Sequence, residues 1–169
     1  MGDTTSKIAF SGRHHIIVAT IGDAGREDHI ANIDLMFDRL RQAGGGLEQW
    51  GMLPAGVTLS FDAEPVQVPA QVAVAIALIV NECLTNAAKH AFPDGLGAVA
   101  VWLRPAGDDA LITIEDDGTG QKSERVAGTG SKLIDVLART LAAEFTVTSA
   151  TTTDRGTRCE LRVPLHNNS

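Results

Sequence analysis

The chain has 169 residues, 44% of them apolar, and a formal net charge of −7. That length fits one domain plus a short extra element, and the apolar share builds a core where a disordered chain could not. Acidic residues spread along the whole chain repel polyanions, which argues against nucleic acid or an anionic membrane surface as a partner.

Residues 1–13 are polar, and the run from His14 to Ile21 is apolar until GDAGRED breaks it. Residues 28–42, DHIANIDLMFDRLRQ, carry Ile30, Ile33, Leu35, Met36, Phe37 and Leu40 on one broad face, which predicts an amphipathic helix ended by AGGG at 43–46. Residues 47–56 read as a loop. From Val57 the pattern alternates, VTLSFD, as a strand does, and a short strand is expected at Val66–Val68. Pro69 suits the first turn of a helix expected over 69–91 and stopped before Pro93. Its first half is almost wholly apolar and therefore buried. The longest apolar stretch, Val72 to Val80, is too short to cross a bilayer, and the N-terminus has no signal-sequence pattern. No direct membrane insertion is expected, and the location expected is cytoplasmic. The two cysteines, Cys83 and Cys159, fall inside apolar patterns and read as buried free thiols.

PDGLG at 93–97 is a turn, and Ala98–Arg104 with Ala110–Glu115 predict a hairpin around PAGDD. A Gly-rich loop follows over 116–130, with a short polar lid expected in QKSERVA. Residues 131–143 predict a helix, and Phe145–Ser149 with Arg158–Val163 a closing strand pair. In the last strand Cys159, Leu161 and Val163 should point inward, Arg158, Glu160 and Arg162 outward. Together these elements predict an α+β sandwich: a mixed, mostly antiparallel sheet with helices on one face, plus an N-terminal helix. The expected division is an N-terminal helical segment over 1–50 and one domain over 51–169.

Four constellations carry chemistry. Glu82, Asn86 and Lys89 are spaced four and then three residues apart, so they share one helix face. An amide oxygen is a hard ligand for Mg²⁺, and an ammonium pairs with phosphate. Asp116, Gly118 and Gly120 follow a strand ending IEDD. A carboxylate there can accept a hydrogen bond from an exocyclic amine such as adenine's, and glycines let the backbone approach a ligand. Gly128, Thr129 and Gly130 precede a helix, whose N-terminal N–H groups suit phosphate. Thr157, after Gly156, stands at the start of the last strand with a hydroxyl for the same polar network. Each has a plainer reading, a solvated helix face or an ordinary turn. Their order along the chain is the stronger signal.

NECLTNAAKHAFP resembles the N box of histidine-kinase catalytic domains, IEDDGTG the first Gly box, GTGSKLIDVLARTLAAEF the second, and DRGTRCELRVP the terminal GT motif. The resemblance covers about 57–165, and KHAFP and GSKLID look most like HWE-type sensor kinases. It implies the Bergerat ATPase fold shared with gyrase and heat-shock chaperone ATPases, with ATP and Mg²⁺ as cofactors. It further implies Asn86 as the Mg²⁺ ligand, with Lys89 and His90 facing the phosphates. Asp116 would bind the adenine amine. Gly118, Gly120, Gly128 and Gly130, with Thr129 between the last two, would shape the lid and phosphate wall. Thr157 would serve the adenine pocket, and Glu82 would be the N-box acid. The chain departs from the family at Asp117, where many relatives carry Asn, and at Gln121, which replaces an apolar lid residue. A His-Arg-x-Lys-Asn phosphoacceptor pattern does not occur upstream; His14, His15 and His29 are the upstream histidines. The function implied is transfer of the ATP γ-phosphoryl group to a histidine. The expected partners are a response regulator or a phosphoacceptor-His domain, with a homodimer through 28–42. The rivals are a serine kinase of the anti-sigma-factor type and a degenerate histidine phosphotransferase or docking module.

Overall fold

The computed structural model describes residues 30–32, 53–120, 129–150 and 155–165. Strand β1 spans Ile30–Asn32, β2 Gly56–Ala63 and β3 Gln67–Pro69. Helix α1 spans Ala70–His90, followed by β4 Leu96–Ala106 and β5 Asp109–Asp116. Helix α2 spans Thr129–Thr140, and β6 Glu144–Ser149 and β7 Thr157–Pro164 close the chain.

Five strands form one sheet in the order β2-β4-β5-β7-β6, with β2 parallel to β4 and every other pair antiparallel. The expected mixed α+β sandwich with a hairpin at its centre is what the chain forms. Strand alternation sorts the sheet into two faces. Register stacks Val99, Val101 and Leu103 of β4 beside Asp116, Ile114 and Ile112 of β5. Ile114 and Ile112 then face Cys159 and Leu161 of β7, which face Val147 and Phe145 of β6. This apolar face carries the core, where Leu103, Ile112 and Leu161 are fully buried.

Helix α1 covers that face because its small and branched residues recur at helical spacing. Ala73, Ile76, Ala77, Val80, Cys83, Leu84 and Ala87 form a continuous buried stripe. Gln71–His90 is long and apolar enough by composition to cross a membrane; here its apolar residues bury themselves in the domain core. Pro69 precedes the helix with extended geometry, and the last turn holds Lys89 and His90, whose position suits the negative end of the helix dipole.

The N-terminal helix expected over 28–42 is corrected where it is described. Ile30–Asn32 is a strand, antiparallel to β3 with Ile30 opposite Pro69 and Asn32 opposite Gln67. Pairing with a short strand supplies those three residues with tertiary hydrogen bonds that override the helical period; the rest of 28–42 lies outside the described residues. The opposite face of the sheet is polar. There Arg158 is half-buried rather than simply outward, bridging Glu115 and Glu160 at 2.9 Å each.

Helix α2 ends in a Schellman turn: Ala143 N–H donates to the Ala138 carbonyl at 2.8 Å and Ala142 N–H to that of Arg139 at 3.1 Å. The left-handed residue is Ala142, at φ +49°. Glycine would sit there without a Cβ penalty. Ala142→Gly is therefore expected to stabilise the domain by about 0.5–1 kcal/mol after its higher unfolded-state entropy is counted. A thermal melt no higher than that of the parent chain would contradict this.

Candidate functional site

Period-two alternation places Asp116 on the same face as Ile112 and Ile114, so its carboxylate enters the core at the end of the central strand. It is only 6% exposed. Its Oδ1 accepts the backbone N–H of Gly118 at 3.0 Å and of Thr157 at 3.2 Å. Both donors bind the same oxygen, which fixes the carboxylate plane and turns Oδ2 the other way. Burial raises the Asp116 pKa above the usual carboxylate range; the Gly118 and Thr157 bonds work against that shift, and the neighbouring Asp117 charge adds to it.

The loop after β5 is fastened to the C-terminal end of α1. Thr119 N–H donates to the Ala91 carbonyl at 3.0 Å, and the Thr119 hydroxyl reaches that of His90 at 3.5 Å. A Cβ on Gly118 would lie 2.4 Å from the Ala91 oxygen, so only glycine allows this approach. Asp117 locks the other side: its Oδ1 accepts Ala98 N–H at 2.7 Å, while its own N–H donates to the Ala98 carbonyl at 3.2 Å. The strand end that holds Asp116 and the helix end that holds Asn86 are thereby one unit. Asn86 precedes Ala91 by five residues, roughly 7.5 Å along the helix.

On α1, Glu82 and Asn86 are half-buried, while Lys89 and His90 are exposed. Gly120 adopts φ +78° and lies beside Gly156, which adopts φ +91°. Thr157 is buried. Thr129 and Gly130 open the first turn of α2, and α2 packs near α1. Gly128 and the expected lid QKSERVA lie outside the described residues. Among the described residues, hydrogen bonds join Asp116, Gly118 and Thr157 directly; Asn86 is linked to them through the backbone of its helix.

Three contributors to this architecture were not singled out from sequence as site residues. Gly156 packs against the Asp116 carbonyl so closely that a Cβ would lie 1.9 Å from it. Gly97 sits under Phe92 and Asp117, and Ala91 receives the loop. Gly156 had a readable signal, a glycine in a Gly-Thr pair entering a strand. Ala91 had none, because its role is carried by a backbone carbonyl.

Among the described residues no group of three or more His, Cys, Asp and Glu side chains could hold a metal. A Mg²⁺ ion held through one side-chain amide would take its other ligands from phosphate oxygens and water, which is its usual habit in nucleotide sites. Asn86 meets that requirement as a half-buried hard donor on the polar side of α1.

Comparison with known proteins agrees with this geometry. Residues 71–167 match the family described as histidine kinase-, DNA gyrase B- and HSP90-like ATPase. Blue-light-activated histidine kinase 2 of Erythrobacter litoralis is 32% identical over 151 residues, covering 85% of this chain and 41% of that protein. The chain thus spans about two fifths of that curated relative. The histidine kinase domain of the E. litoralis EL346 blue-light-activated kinase superposes with a TM-score of 0.70 at 29% identity, covering 85% of this chain and 66% of that one. The mycobacterial sensor histidine kinase MprB, at 19% identity and TM-score 0.56 over 82% of this chain and 97% of that one, shares the fold. The chain belongs to the family of histidine kinase-, DNA gyrase B- and HSP90-like ATPases, and residues 71–167 form its ATP-binding domain of the histidine-kinase type.

Proposed function

We propose that this domain binds Mg-ATP and presents its γ-phosphoryl group to a histidine imidazole, in the cytoplasm, with a response-regulator aspartate as the next receiver. The observation that carries the reading is the Asp116 carboxylate: buried, oriented by two backbone donors, and fixed to the helix that bears Asn86. A buried acid with an oriented free edge suits one partner above others, a neutral amine donor such as the adenine N6 group.

In this reading Oδ2 of Asp116 accepts the adenine amine, and the Thr157 hydroxyl completes the polar edge. The Asn86 amide oxygen ligates Mg²⁺, with Glu82 one turn earlier on the same face supporting the metal or the incoming proton acceptor. When bound, Mg²⁺ neutralises charge on the phosphates. Lys89 and His90 stand at the α1 terminus where the phosphates would lie, and the backbone N–H groups at Thr129 and Gly130 offer them a helix N-terminus. A neutral imidazole nitrogen attacks the γ-phosphorus, the bond to the β-phosphate oxygen breaks, and ADP leaves. The domain contributes orientation and charge stabilisation, and the acceptor comes from another element of the protein or from a partner.

A Mg-ATP titration tests the site. Asn86→Ala, which removes the amide oxygen, is expected to weaken Mg-ATP binding about tenfold or more, the loss of one strong polar interaction placed beside the phosphates, and to blunt the Mg²⁺ dependence of binding. Unchanged affinity in both this variant and Asp116→Asn would remove the nucleotide site from this pocket. The phosphorylated acceptor should lose its label in acid, as phosphohistidine does; an acid-stable label would point to serine instead.

A further inference from the structure

The residues from Asp116 to Thr119 are fastened to three different elements, β7, β4 and α1. Asp116 is bound from β7 through the Thr157 N–H at 3.2 Å. Thr119 is bound to α1 through the Ala91 carbonyl at 3.0 Å. Between them, Asp117 is bound to β4 by its side chain. Val99 stands opposite Asp116, so Ala98 and Asp117 are the next pair along the antiparallel ladder. A hydrogen-bonded pair exchanges two backbone bonds. Asp117 N–H donates one of them to the Ala98 carbonyl at 3.2 Å. The return bond from Ala98 N–H goes to Asp117 Oδ1 at 2.7 Å. The carboxylate thus stands in for the backbone carbonyl, and the chain leaves the sheet at this residue while staying tied to it. Gly97 makes room for the exchange: a Cβ there would lie 2.7 Å from Asp117 Oδ1 and would also strike the Phe92 ring. Asp117 is exposed, so water screens its charge, and its main contribution is the position of one oxygen.

We infer that Asp117 is a positioning residue for recognition of the nucleotide base: its side-chain bond to Ala98 sets the place of Gly118, whose N–H aims the Asp116 carboxylate. The inference rests on the nucleotide reading above. Asp116 Oδ1 has two donors, and they arrive from different places. The Thr157 N–H belongs to β7, and the Gly118 N–H, at 3.0 Å, to the loop. Gly118 is held on one side by the Asp117 anchor on β4 and on the other by the Thr119 anchor on α1. Without the Asp117 side chain the Ala98 N–H loses its acceptor, and the loop keeps a single backbone bond to β4. Gly118 is then free to drift, its bond to Oδ1 weakens, and the carboxylate turns about the remaining bond to Thr157. The Oδ2 edge, which would accept the adenine amine, loses its direction. Among the described residues Asp117 bonds to β4 and not to α1 or α2, where the phosphates would lie, so the loss falls on the base.

The experiment separates base from phosphates by comparing ATP with inosine triphosphate, which carries the same phosphates and an oxo group where adenine has its amine. The whole chain and three variants are titrated with each nucleotide in the presence of Mg²⁺. The parent should prefer ATP. Asp117→Ala should lose about tenfold of that preference, the worth of one hydrogen bond to a charged group, through weaker ATP binding with inosine triphosphate affinity unchanged. Asp117→Asn keeps an oxygen in the same place and should restore the preference. Asp117→Glu keeps the charge but carries the oxygen one methylene further, into the space beside Gly97, and should behave as the alanine variant does. The Asn and Glu variants decide the question should the alanine variant not fold. A preference retained in Asp117→Ala or, failing its folding, in Asp117→Glu overturns the positioning role and leaves the nucleotide site in place. So do equal losses for both nucleotides, and so does a loss in Asp117→Asn as large as in Asp117→Ala, which would assign the effect to charge. A parent chain that binds both nucleotides equally, or neither, overturns the adenine reading and the positioning role with it.

Discussion

Asp116→Asn is expected to weaken ATP binding about tenfold to a hundredfold, the worth of a hydrogen bond to a charged group, while leaving the domain at least as stable at neutral pH. The two effects separate because they rest on different oxygens. An Asn side chain keeps a carbonyl oxygen for the Gly118 and Thr157 N–H groups that now bind Oδ1. In place of Oδ2 it puts an amino group, which would face the adenine amine donor to donor. On stability the sign follows from the raised pKa. The native state favours the protonated acid, so this group's contribution is fully present below the usual carboxylate range and is lost as pH rises through the raised native value. At neutral pH the ionised carboxylate opposes folding, and the neutral amide relieves that opposition. Binding has the reverse dependence: ATP affinity of the parent chain should decline on acidification from above the ordinary carboxylate range. The nucleotide's own protonation acts equally on both proteins, so the difference between the two pH profiles isolates Asp116. Parallel profiles, or a variant that melts well below the parent at neutral pH, would refute this account.

Much of this site could be read from local pattern, and the reason is that its parts are periodic. The spacing of Glu82, Asn86 and Lys89 sets a helix face wherever the helix goes, and α1 runs from Ala70 to His90, within a residue of the boundaries expected. The alternation of Ala110, Ile112 and Ile114 extends by one step to Asp116, so a carboxylate on the apolar face follows from the strand period alone. What the pattern does not hold is contact between backbone atoms. That Thr119 binds the Ala91 carbonyl, or that Asp117 pins Ala98, depends on how two loops meet, and no side-chain period encodes it. The Ile30–Asn32 strand shows the converse. Its apolar residues fit a helical stripe, yet β3 offers those three residues a strand partner that the local pattern of 28–42 cannot express.

Gly156→Ala is expected to be the most damaging small substitution at this site. Two costs add. The residue sits at φ +91°, where an alanine is strained, and its Cβ would lie 1.9 Å from the Asp116 carbonyl oxygen and 3.1 Å from the Asp117 Cα. Backbone strain is worth on the order of 1–3 kcal/mol, and forcing an extra methyl into closed packing about as much again. The neighbour is backbone of the central strand and cannot swing aside, so the relief must come from moving the start of β7. That motion withdraws the Thr157 N–H from Asp116, which frees the carboxylate to rotate and removes the oriented edge that adenine would use. Gly107 provides the internal control. It too has a left-handed φ, +66°, but a Cβ there meets nothing within 4 Å. Gly107→Ala should therefore carry the strain alone, roughly 1–2 kcal/mol, and bind ATP as the parent does. Gly156→Ala should lose roughly 2–6 kcal/mol in denaturant unfolding and bind ATP at least tenfold more weakly while still folded at low temperature. Equal losses of stability in the two variants, with ATP affinity intact in both, would mean that the close approach of Gly156 to Asp116 does not set the geometry of the pocket.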